Sequence, residues 1–455
     1  MTVKLSGRTA ILIIVIALAG ALFRSPLLSS VPVARNQDEA SAGYEAWAIA
    51  NYGIDRNGNS CPVLLESWGS GQNALYSYLA VPFAAAFGLD PVAVRMPMLL
   101  LGIAAILLAY LCGCVTNAGF GVAFALVLAL NPWHLMISRW ALESNILPFF
   151  VIAAMFFAER ARNNSAMLIP GAAVLALSLY AYGTAFVWVP LFAVPAVIFT
   201  ARNRFTWRNV FIAALVFAIV AFPIALCHLR NALGLPAMKL FGIFTLPKLT
   251  EPRQAATMNF HLFRNGIDTL KLLIIQDDGL PWNSVKPFGV IYGVPGLALA
   301  IAGIVFGIRG KASPIPLIAL IAGFVTMLFV SANINRANML LIPLVWFQAY
   351  ALYWLWLRLK MLSVVLTLSM IAGFAAFWLT YSGKYGAELN ALLLSTDNMP
   401  YIYCLYDERV PPQYFADTVE YINPGDAFQW VKSFEWRDEN GQWRKYEYHP
   451  TQPTD

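Results

Sequence analysis

The sequence is short of charged residues and of side chains that bind metals. Only 12% of its 455 residues are Asp, Glu, Lys or Arg, and 59% are hydrophobic, whereas about a quarter of a soluble domain is charged. It contains five cysteines, which show neither the density of a disulfide scaffold nor the spacing of a metal site. This composition excludes an ordinary soluble protein and predicts a chain that resides in lipid.

The positive charge is distributed as in a membrane protein. The formal net charge is +6, but Lys and Arg lie in short connections between apolar runs, where they set the topology of multi-pass proteins. The apolar run after Lys4 and Arg8 continues to Leu28, interrupted only by Arg24. We interpret it as an uncleaved first span rather than a signal peptide, and we expect no nucleic-acid partner.

Long apolar segments predict an all-α polytopic membrane protein with about 11 transmembrane helices. A span requires about 20 apolar residues, and the candidate segments are approximately 8–28, 92–114, 118–136, 145–159, 166–182, 184–201, 208–228, 288–308, 313–331, 335–357 and 361–381. The predicted inner ends and connections contain one acid, Glu159, against the basic residues Lys4, Arg8, Arg160, Arg162, Arg202, Arg204, Arg208, Arg309, Lys311, Arg358 and Lys360. The positive-inside rule therefore predicts a cytoplasmic N-terminus and an extracytoplasmic C-terminus.

Two longer segments on the predicted outer side carry most of the polar chemistry. The first, residues 29–91, contains the adjacent acids Asp38 and Glu39 and an apolar stretch, 75–83, that is too short to span and is expected at the interface. In the second, residues 229–287, apolar side chains recur at alternating steps of three and four. That spacing predicts an amphipathic helix on the membrane surface; its apolar residues are Phe260, Phe263, Ile267, Leu270 and Ile274.

The last part of the chain, residues 382–455, is polar and aromatic. We predict that it forms a small extracytoplasmic α+β domain beside the membrane domain of residues 1–381. The stretch Tyr401–Tyr406 predicts a strand, the residues after Pro411-Pro412 predict a helix, and Asn440-Gly441 predicts a turn. Of the cysteines, Cys61 and Cys404 both fall outside in this topology, so a disulfide between them is left open.

The acidic pair is the first candidate site. Asp38 and Glu39 follow the first span, and the same outer segment contains Tyr44 and Trp68, aromatic side chains of the kind that stack on sugars. The ordinary alternative is that the acids are solvated or pair with Arg35. A functional role gains weight because the surrounding segment is rich in polar and aromatic residues.

The second candidate site is residues 131–145, between the third and fourth predicted spans, with His134, Arg139 and Glu143. Arg139 and Glu143 are four residues apart, so on a helix they would share a face and could simply pair. Charges at the mouth of a helical bundle are expensive, however, and more often mark a site or pathway.

The third candidate site is residues 333–339 at the start of the tenth predicted span, with Arg336 and Asn338. Arg336 could extend to lipid headgroups. The alternative is a phosphate ligand, because a guanidinium is a forked donor suited to phosphate. Arg95 and Arg230 are weaker candidates for the same role.

These motifs, in this order, resemble the protein O-mannosyltransferase family. The acidic pair resembles its Asp-Glu motif, and Ser138-Arg139-Trp140-Ala141-Leu142-Glu143 resembles its Ser-Arg-x-x-Leu-Leu-Asp segment. Leu179–Gly183 and Asn131-Pro132-Trp133 recur in bacterial relatives, which include the aminoarabinose transferases of lipid A. The resemblance covers roughly residues 8–381.

The chain also departs from that family. Glu143 stands where the family has Asp, and Ala141 replaces one Leu of the pair. The C-terminal part is smaller than the family's sugar-binding trefoil domain. The role of the second acid and the mode of acceptor recognition are therefore open.

The resemblance implies the C-type glycosyltransferase fold and a transfer reaction at the outer face of a plasma (inner) membrane. A sugar would pass from a polyprenyl-phosphate donor to a hydroxyl of a glycan, lipid or protein acceptor, and direct displacement would invert the anomeric carbon. We predict Asp38 as general base, with Glu39 and Glu143 orienting the substrates. The predicted phosphate ligands are Arg139 and Arg336, followed by Arg95 and Arg230; the predicted sugar or acceptor contacts are Tyr44, Trp68, His134 and Asn338.

No cofactor is expected. Some C-type relatives use a divalent ion, but no cluster of ligands stands out in this sequence, and we predict no metal.

Two other classes of function stay open. A transporter or flippase of lipid-linked sugars would also have many spans and arginines at their edges, although the spans show no evident repeated halves. The second class is a structural protein of an envelope assembly, a hypothesis that leaves the acidic pair unexplained.

Overall fold

The structure is a computed structural model that describes residues 7–32, 35–201, 206–251, 258–395, 399–426 and 428–448. The predicted inner residues Lys4, Arg202 and Arg204 lie outside these ranges. Within them the chain is mostly helical, as the sequence predicts.

A helix occurs in each predicted apolar segment. The first ten helices are α1 Gly7–Arg24, α2 Gln37–Tyr52, α3 Leu75–Phe87, α4 Pro91–Cys114, α5 Ala118–Ala129, α6 Pro132–Ile137, α7 Leu147–Ala161, α8 Leu168–Ser178, α9 Ala185–Ala201 and α10 Trp207–Ala232. The others are α11 Leu262–Ile275, α12 Gly293–Arg309, α13 Ile315–Met327, α14 Asn338–Arg358, α15 Lys360–Ser382, α16 Lys384–Ser395, α17 Pro400–Asp407 and α18 Pro412–Thr418. Short 3-10 turns, Glu143–Ile146 and Ser165–Met167, precede α7 and α8.

In the part of the chain that the structure describes, five helical segments are long and apolar enough to cross a membrane, by length and composition. They are Pro91–Cys114, Glu143–Ala161, Trp207–Ala232, Asn338–Arg358 and Lys360–Leu393. Among the described residues, seven further apolar helices have 10–17 residues. The described chain is thus that of a multi-pass helical membrane protein, and the number of 11 crossings stays a prediction.

The strands are short and lie outside the helical bundle. They form two antiparallel hairpins, β1 Leu64–Ser67 with β2 Ser70–Asn73 and β3 Met238–Leu240 with β4 Phe244–Leu246. Near the C-terminus, β5 Glu420–Tyr421, β6 Val431–Arg437 and β7 Trp443–Glu447 form an antiparallel sheet in that order.

The predicted strand at Tyr401–Tyr406 is wrong, because these residues form α17. Tyrosine and isoleucine favour strands by propensity, but packing overrides propensity. The buried residues Tyr401, Ile402, Leu405 and Tyr406 repeat with helical spacing and join the core that contains α2 and α3. The predicted helix after Pro411 is α18, and Gly441 has the positive φ, 73°, of the predicted turn.

The predicted amphipathic helix is α11. Its buried residues are Asn265, Thr269 and Leu272, while Phe263 is 84% exposed. The other predicted apolar residues on this side, Phe260, Ile267, Leu270 and Ile274, are also exposed. An apolar face that the protein leaves uncovered is consistent with contact with lipid.

The long helices run alternately up and down, so the connections between them lie at two ends of the bundle. The residues at these two ends differ in chemistry. The acidic pair, the 3-10 turn before α7 and the start of α14 lie at one end, which we call the polar end. The connection α7–α8 and the start of α10 lie at the other end, which we call the basic end, where Asn209 of α10 donates to Ser165 beside α8. The topology and the side of the membrane on which each end lies stay predictions.

Candidate active site

A buried ion pair between α2 and α4 organises the polar end. Arg95 donates from Nε and Nη2 to the two carboxylate oxygens of Glu39, each over 2.7 Å, and from Nη1 to the carbonyls of Leu28 and Pro32. Ala141 N–H adds a third bond to Glu39. Both charged side chains are at most 1% exposed. Glu39 and Arg95 therefore hold the first outer segment against α4, and in this structure Arg95 faces a carboxylate rather than an open phosphate site.

Asp38 is the accessible member of the acidic pair. It lies half-buried in the first turn of α2, where Asn36 caps the helix by accepting from the backbone N–H of Asp38. Arg35, the partner considered for the acids, forms an ion pair with Asp407, and its guanidinium lies 4.3 Å from the ring centre of Tyr406.

Arg139 holds the loop between α1 and α2. Its Nη1 donates to the carbonyls of Arg24 and Pro26, and its Nη2 donates to those of Leu27 and Val31. The side chain is fully buried. This position favours a role in shaping the loop over the predicted direct contact with a donor phosphate.

Arg139 and Glu143 do not share a helix face, so the premise of their simple pairing is wrong. Helix α6 ends at Ile137 and the 3-10 turn begins at Glu143. The carboxylate of Glu143 accepts from the backbone N–H of Asn73, at the end of β2. Glu143 thus connects the second candidate segment to the first outer segment.

His134 is buried beneath the loop that Arg139 holds. Its Nδ1 lies 2.9 Å from Nη2 of Arg24, and its backbone carbonyl accepts from the hydroxyl of Ser138 over 2.5 Å. Asn131 caps α6 by accepting from His134 N–H. These bonds place His134 within the scaffold of the site rather than on its surface, so its predicted contact with a sugar gains no support.

Asn338 links the third candidate segment to the second. Its side chain accepts from Trp133 Nε1 over 3.1 Å and donates to the carbonyl of Ser144 over 2.8 Å. Because Ser144 follows Glu143, this pair of bonds brings the start of α14 to the polar end. Asn338 is fully buried, which indicates a positioning role.

The remaining arginine candidates differ in how they are held. Arg336 is half-buried, two residues before Asn338, and its Nη1 donates to the carbonyl of Ser331 over 3.1 Å. Arg230, at the end of α10, donates to the carbonyl of Pro236 over 2.7 Å. Arg336 and Arg230 are thus half-buried with one described guanidinium hydrogen bond each, whereas Arg95 and Arg139 are fully buried, and Arg336 is the one beside the polar-end residue Asn338.

The predicted aromatic contacts lie against the C-terminal segment. Tyr44 is fully buried and donates to the carbonyl of Val410 over 2.6 Å. Trp68 occupies the tight turn between β1 and β2, with φ of 53°, and its carbonyl accepts from Gln429 N–H. Tyr44 is therefore a packing residue, whereas half-buried Trp68 marks the point where the C-terminal segment meets the first outer segment.

A buried network on α2 was missed by the sequence analysis. Glu45 accepts from the side chain and the backbone N–H of Arg56, which also donates to Ser41 and, over 3.0 Å, to Tyr401 of α17. Asp55 next to it accepts from the backbone N–H groups of two asparagines, and burial together with the charge of Glu45 raises the pKa of Asp55 to about 7. The only sequence signal was the density of acids and polar residues after α2.

The two predicted outer segments are joined directly. Val63 N–H donates to the carbonyl of Thr245 in β4, and Thr245 N–H donates to that of Cys61. Both Cys61 and Cys404 are free, so the disulfide left open by the sequence is not formed. The outer segments and the C-terminal segment thus form one cover over the polar end.

This arrangement of helices occurs in solved structures of membrane enzymes. ArnT from Cupriavidus metallidurans bound to undecaprenyl phosphate matches with a TM-score of 0.55 and 16% identity, over 90% of this chain and 69% of that one. The oligosaccharyltransferase AglB from Archaeoglobus fulgidus, in complex with an inhibitory peptide and a dolichol-phosphate, matches with a TM-score of 0.54 and 14% identity, over 93% of this chain and 61% of that one.

The chain has the C-type glycosyltransferase fold. No protein-family model and no curated protein matches the sequence. The solved structures therefore confirm the C-type fold that the sequence predicts. At 14–16% identity, this similarity concerns the fold alone.

A metal is present in one structure with this fold. The Archaeoglobus fulgidus oligosaccharyltransferase in complex with Zn and sulfate matches with a TM-score of 0.54, over 81% of this chain and 52% of that one. In the described ranges of the present chain, no group of three or more His, Cys, Asp or Glu side chains could hold a metal ion. The expectation that the protein uses no metal stays a prediction.

Proposed function

We propose that this protein is a membrane glycosyltransferase. It would take a sugar from a polyprenyl-phosphate donor and transfer it to an acceptor hydroxyl at the outer face of a plasma (inner) membrane. The observation that carries the proposal is the acidic pair in this fold, with Glu39 locked to Arg95 and Asp38 half-buried beside it.

The two acids have different roles in this proposal. Glu39 is committed to three donors and holds the start of α2 in position. Asp38 is the acid that an acceptor can approach, and it removes the hydroxyl proton as the new glycosidic bond forms. The donor phosphate leaves without needing a proton, and the anomeric carbon inverts if a single displacement operates.

The phosphate needs a positive partner at the same end of the bundle. Arg336 is our choice, because its guanidinium is half-buried and a forked donor neutralises a leaving phosphate well. Arg139 acts on the loop between α1 and α2 instead. The lipid carriers named for two solved structures with this fold, undecaprenyl phosphate and dolichol-phosphate, support a donor of that class.

The test compares the wild type with Asp38→Asn in nanodiscs, using a set of polyprenyl-phosphate sugars. We expect sugar release by the wild type and a loss of at least about 100-fold in Asp38→Asn with donor binding retained, because a general base contributes about 10²–10⁴-fold. Asp417→Asn is the matched control, since Asp417 is exposed in α18, and it should keep full activity. NMR of the product should show the inverted anomer.

The same assay tests the transporter alternative. Donor binding without turnover of any sugar, unchanged by Asp38→Asn, would contradict the transferase proposal and favour a transporter. Turnover with a retained anomer would reject single displacement but keep the transferase.

A further inference from the structure

An apolar groove lies at the basic end of the bundle, far from the acidic pair along the helices. It encloses about 190 Å³ between α7, α8, α9 and α10. Its walls are almost entirely apolar; small residues among them are Ala154, Ala158, Gly171, Ala193, Ala196 and Ala213.

The groove exists because small residues face each other on four helices. A Cβ at Gly171 would come within 3.1 Å of Phe157, so α7 and α8 touch there and leave no room for a larger residue. On the opposite wall, Ala196 and Ala213 are nearly fully buried yet too short to fill the space between α9 and α10. Side chains in protein cores normally fill such space to crystal-like density.

Hydrocarbon is the chemistry that suits this space. Apolar walls without a partner lose dispersion contacts, and water gains no hydrogen bonds in such a cavity. Part of the α10 wall, at Ala214, is exposed at the surface of the bundle. Since α10 is long and apolar enough to span a membrane, that surface faces lipid.

Positive charge lies at the same end. Arg162 follows the groove residue Ala158 by one helical turn. Its guanidinium lies 5.4 Å from the ring centre of Phe199, which precedes the groove residue Thr200 in the sequence. Arg162 also bonds to Glu159 over 3.0 Å, which offsets part of its charge. Arg208 is exposed and precedes the groove residue Val210 by two positions. Basic residues at the ends of membrane helices bind anionic lipid headgroups.

We propose that this groove binds one acyl chain of an anionic phospholipid, with the headgroup near Arg162 and Arg208. The tail of a polyprenyl-phosphate donor is a poorer match, because its phosphate must reach the polar end while the charged rim of the groove is at the basic end. This exclusion of the donor tail rests on the proposed function, whereas the phospholipid site itself does not.

The test uses the full chain, stripped of lipid in detergent and then supplied with phosphatidylglycerol or phosphatidylcholine. Native mass spectrometry should show one retained phosphatidylglycerol, and the melting temperature should rise more with phosphatidylglycerol than with phosphatidylcholine. Ala213→Leu, which fills the groove, should abolish both effects. Its matched control is Ala218→Leu on the exposed side of α10, which should keep both.

A second variant keeps the test decisive if Ala213→Leu folds poorly. Arg208→Ala changes an exposed side chain and should reduce the preference for phosphatidylglycerol while leaving the lipid-free melting temperature unchanged. Equal effects of the two phospholipids on the wild type would overturn the proposal. The proposal would also be overturned if a folded Ala213→Leu protein retained the lipid. It would be overturned, too, if undecaprenyl phosphate alone displaced the phosphatidylglycerol from the wild type.

Discussion

The polar end and the basic end of the bundle are built by different means. At the polar end, seven Asp, Glu and Arg side chains of the described residues are at most 1% exposed: Arg24, Glu39, Glu45, Asp55, Arg56, Arg95 and Arg139. Around the groove at the basic end, the helices are held by small apolar residues, and Glu159 is the buried charge of that part of the described chain.

The two ends differ in how strictly their side chains fix the geometry. Burying a charge costs free energy unless it is paired and hydrogen-bonded, so each buried ion at the polar end fixes its surroundings in one geometry. Small apolar residues let helices approach without fixing any polar atom. A site that has to hold a leaving phosphate and an acceptor needs the first kind of construction, and a lipid-filled groove needs only the second.

The largest expected effect comes from breaking the buried pair. Arg95→Met should destabilise the protein by about 3–5 kcal/mol, because it leaves the buried carboxylate of Glu39 without its partner. Thermal unfolding in detergent measures this. The double variant Arg95→Met with Glu39→Gln should recover much of the loss, and equal instability of the single and double variants would contradict the argument.

An intermediate effect is expected from packing. A Cβ at Gly303 of α12 would lie 2.6 Å from the carbonyl carbon of Phe347 and would clash with its oxygen in α14. Gly303→Ala should therefore cost about 1–3 kcal/mol by overpacking. Gly373→Ala is the control, because the nearest atom to its Cβ would be 3.4 Å away. Similar melting temperatures for the two variants would show that the contact between α12 and α14 gives way easily.

The smallest effect is expected at an ion pair that water reaches. The side chains of Arg35 and Asp407 are 21% and 55% exposed, so Asp407→Asn should cost at most about 1 kcal/mol, as exposed pairs do. Thermal unfolding at low and high salt measures the cost, and Arg95→Met is the internal reference. A loss as large as that of Arg95→Met would mean that exposure does not decide the value of an ion pair here.

Sequence reasoning succeeded where the signal is local and periodic. The apolar runs predicted the helices, and the alternating spacing from Phe260 to Ile274 predicted α11 with the correct exposed face. It failed at Tyr401–Tyr406, because a short run of mostly aromatic and aliphatic residues contains no signal that separates a strand from a buried helix. The packing of that stretch on α2 decided the outcome.

The candidate site was less readable, because its contacts join distant parts of the chain. Glu39 and Arg95 are 56 residues apart, and Arg139 reaches carbonyls more than 100 residues away. Every residue has a backbone carbonyl, so the sequence does not show which carbonyls accept a hydrogen bond. The bonds from Arg139 to the loop between α1 and α2 are therefore visible only in the fold. The sequence did place all three candidate segments at one end, since that follows from the order and direction of the helices.

The network on α2 also has a consequence for the order in which the protein is made. Glu45 and Arg56 are 11 residues apart and can pair as soon as the first outer segment leaves the membrane, whereas Tyr401, which completes the network, follows Arg56 by 345 residues. At a synthesis rate of about 5–20 residues per second, the delay is on the order of tens of seconds. During that interval the local ion pair is the part of the network that can hold the end of α2, and α17 closes over it last.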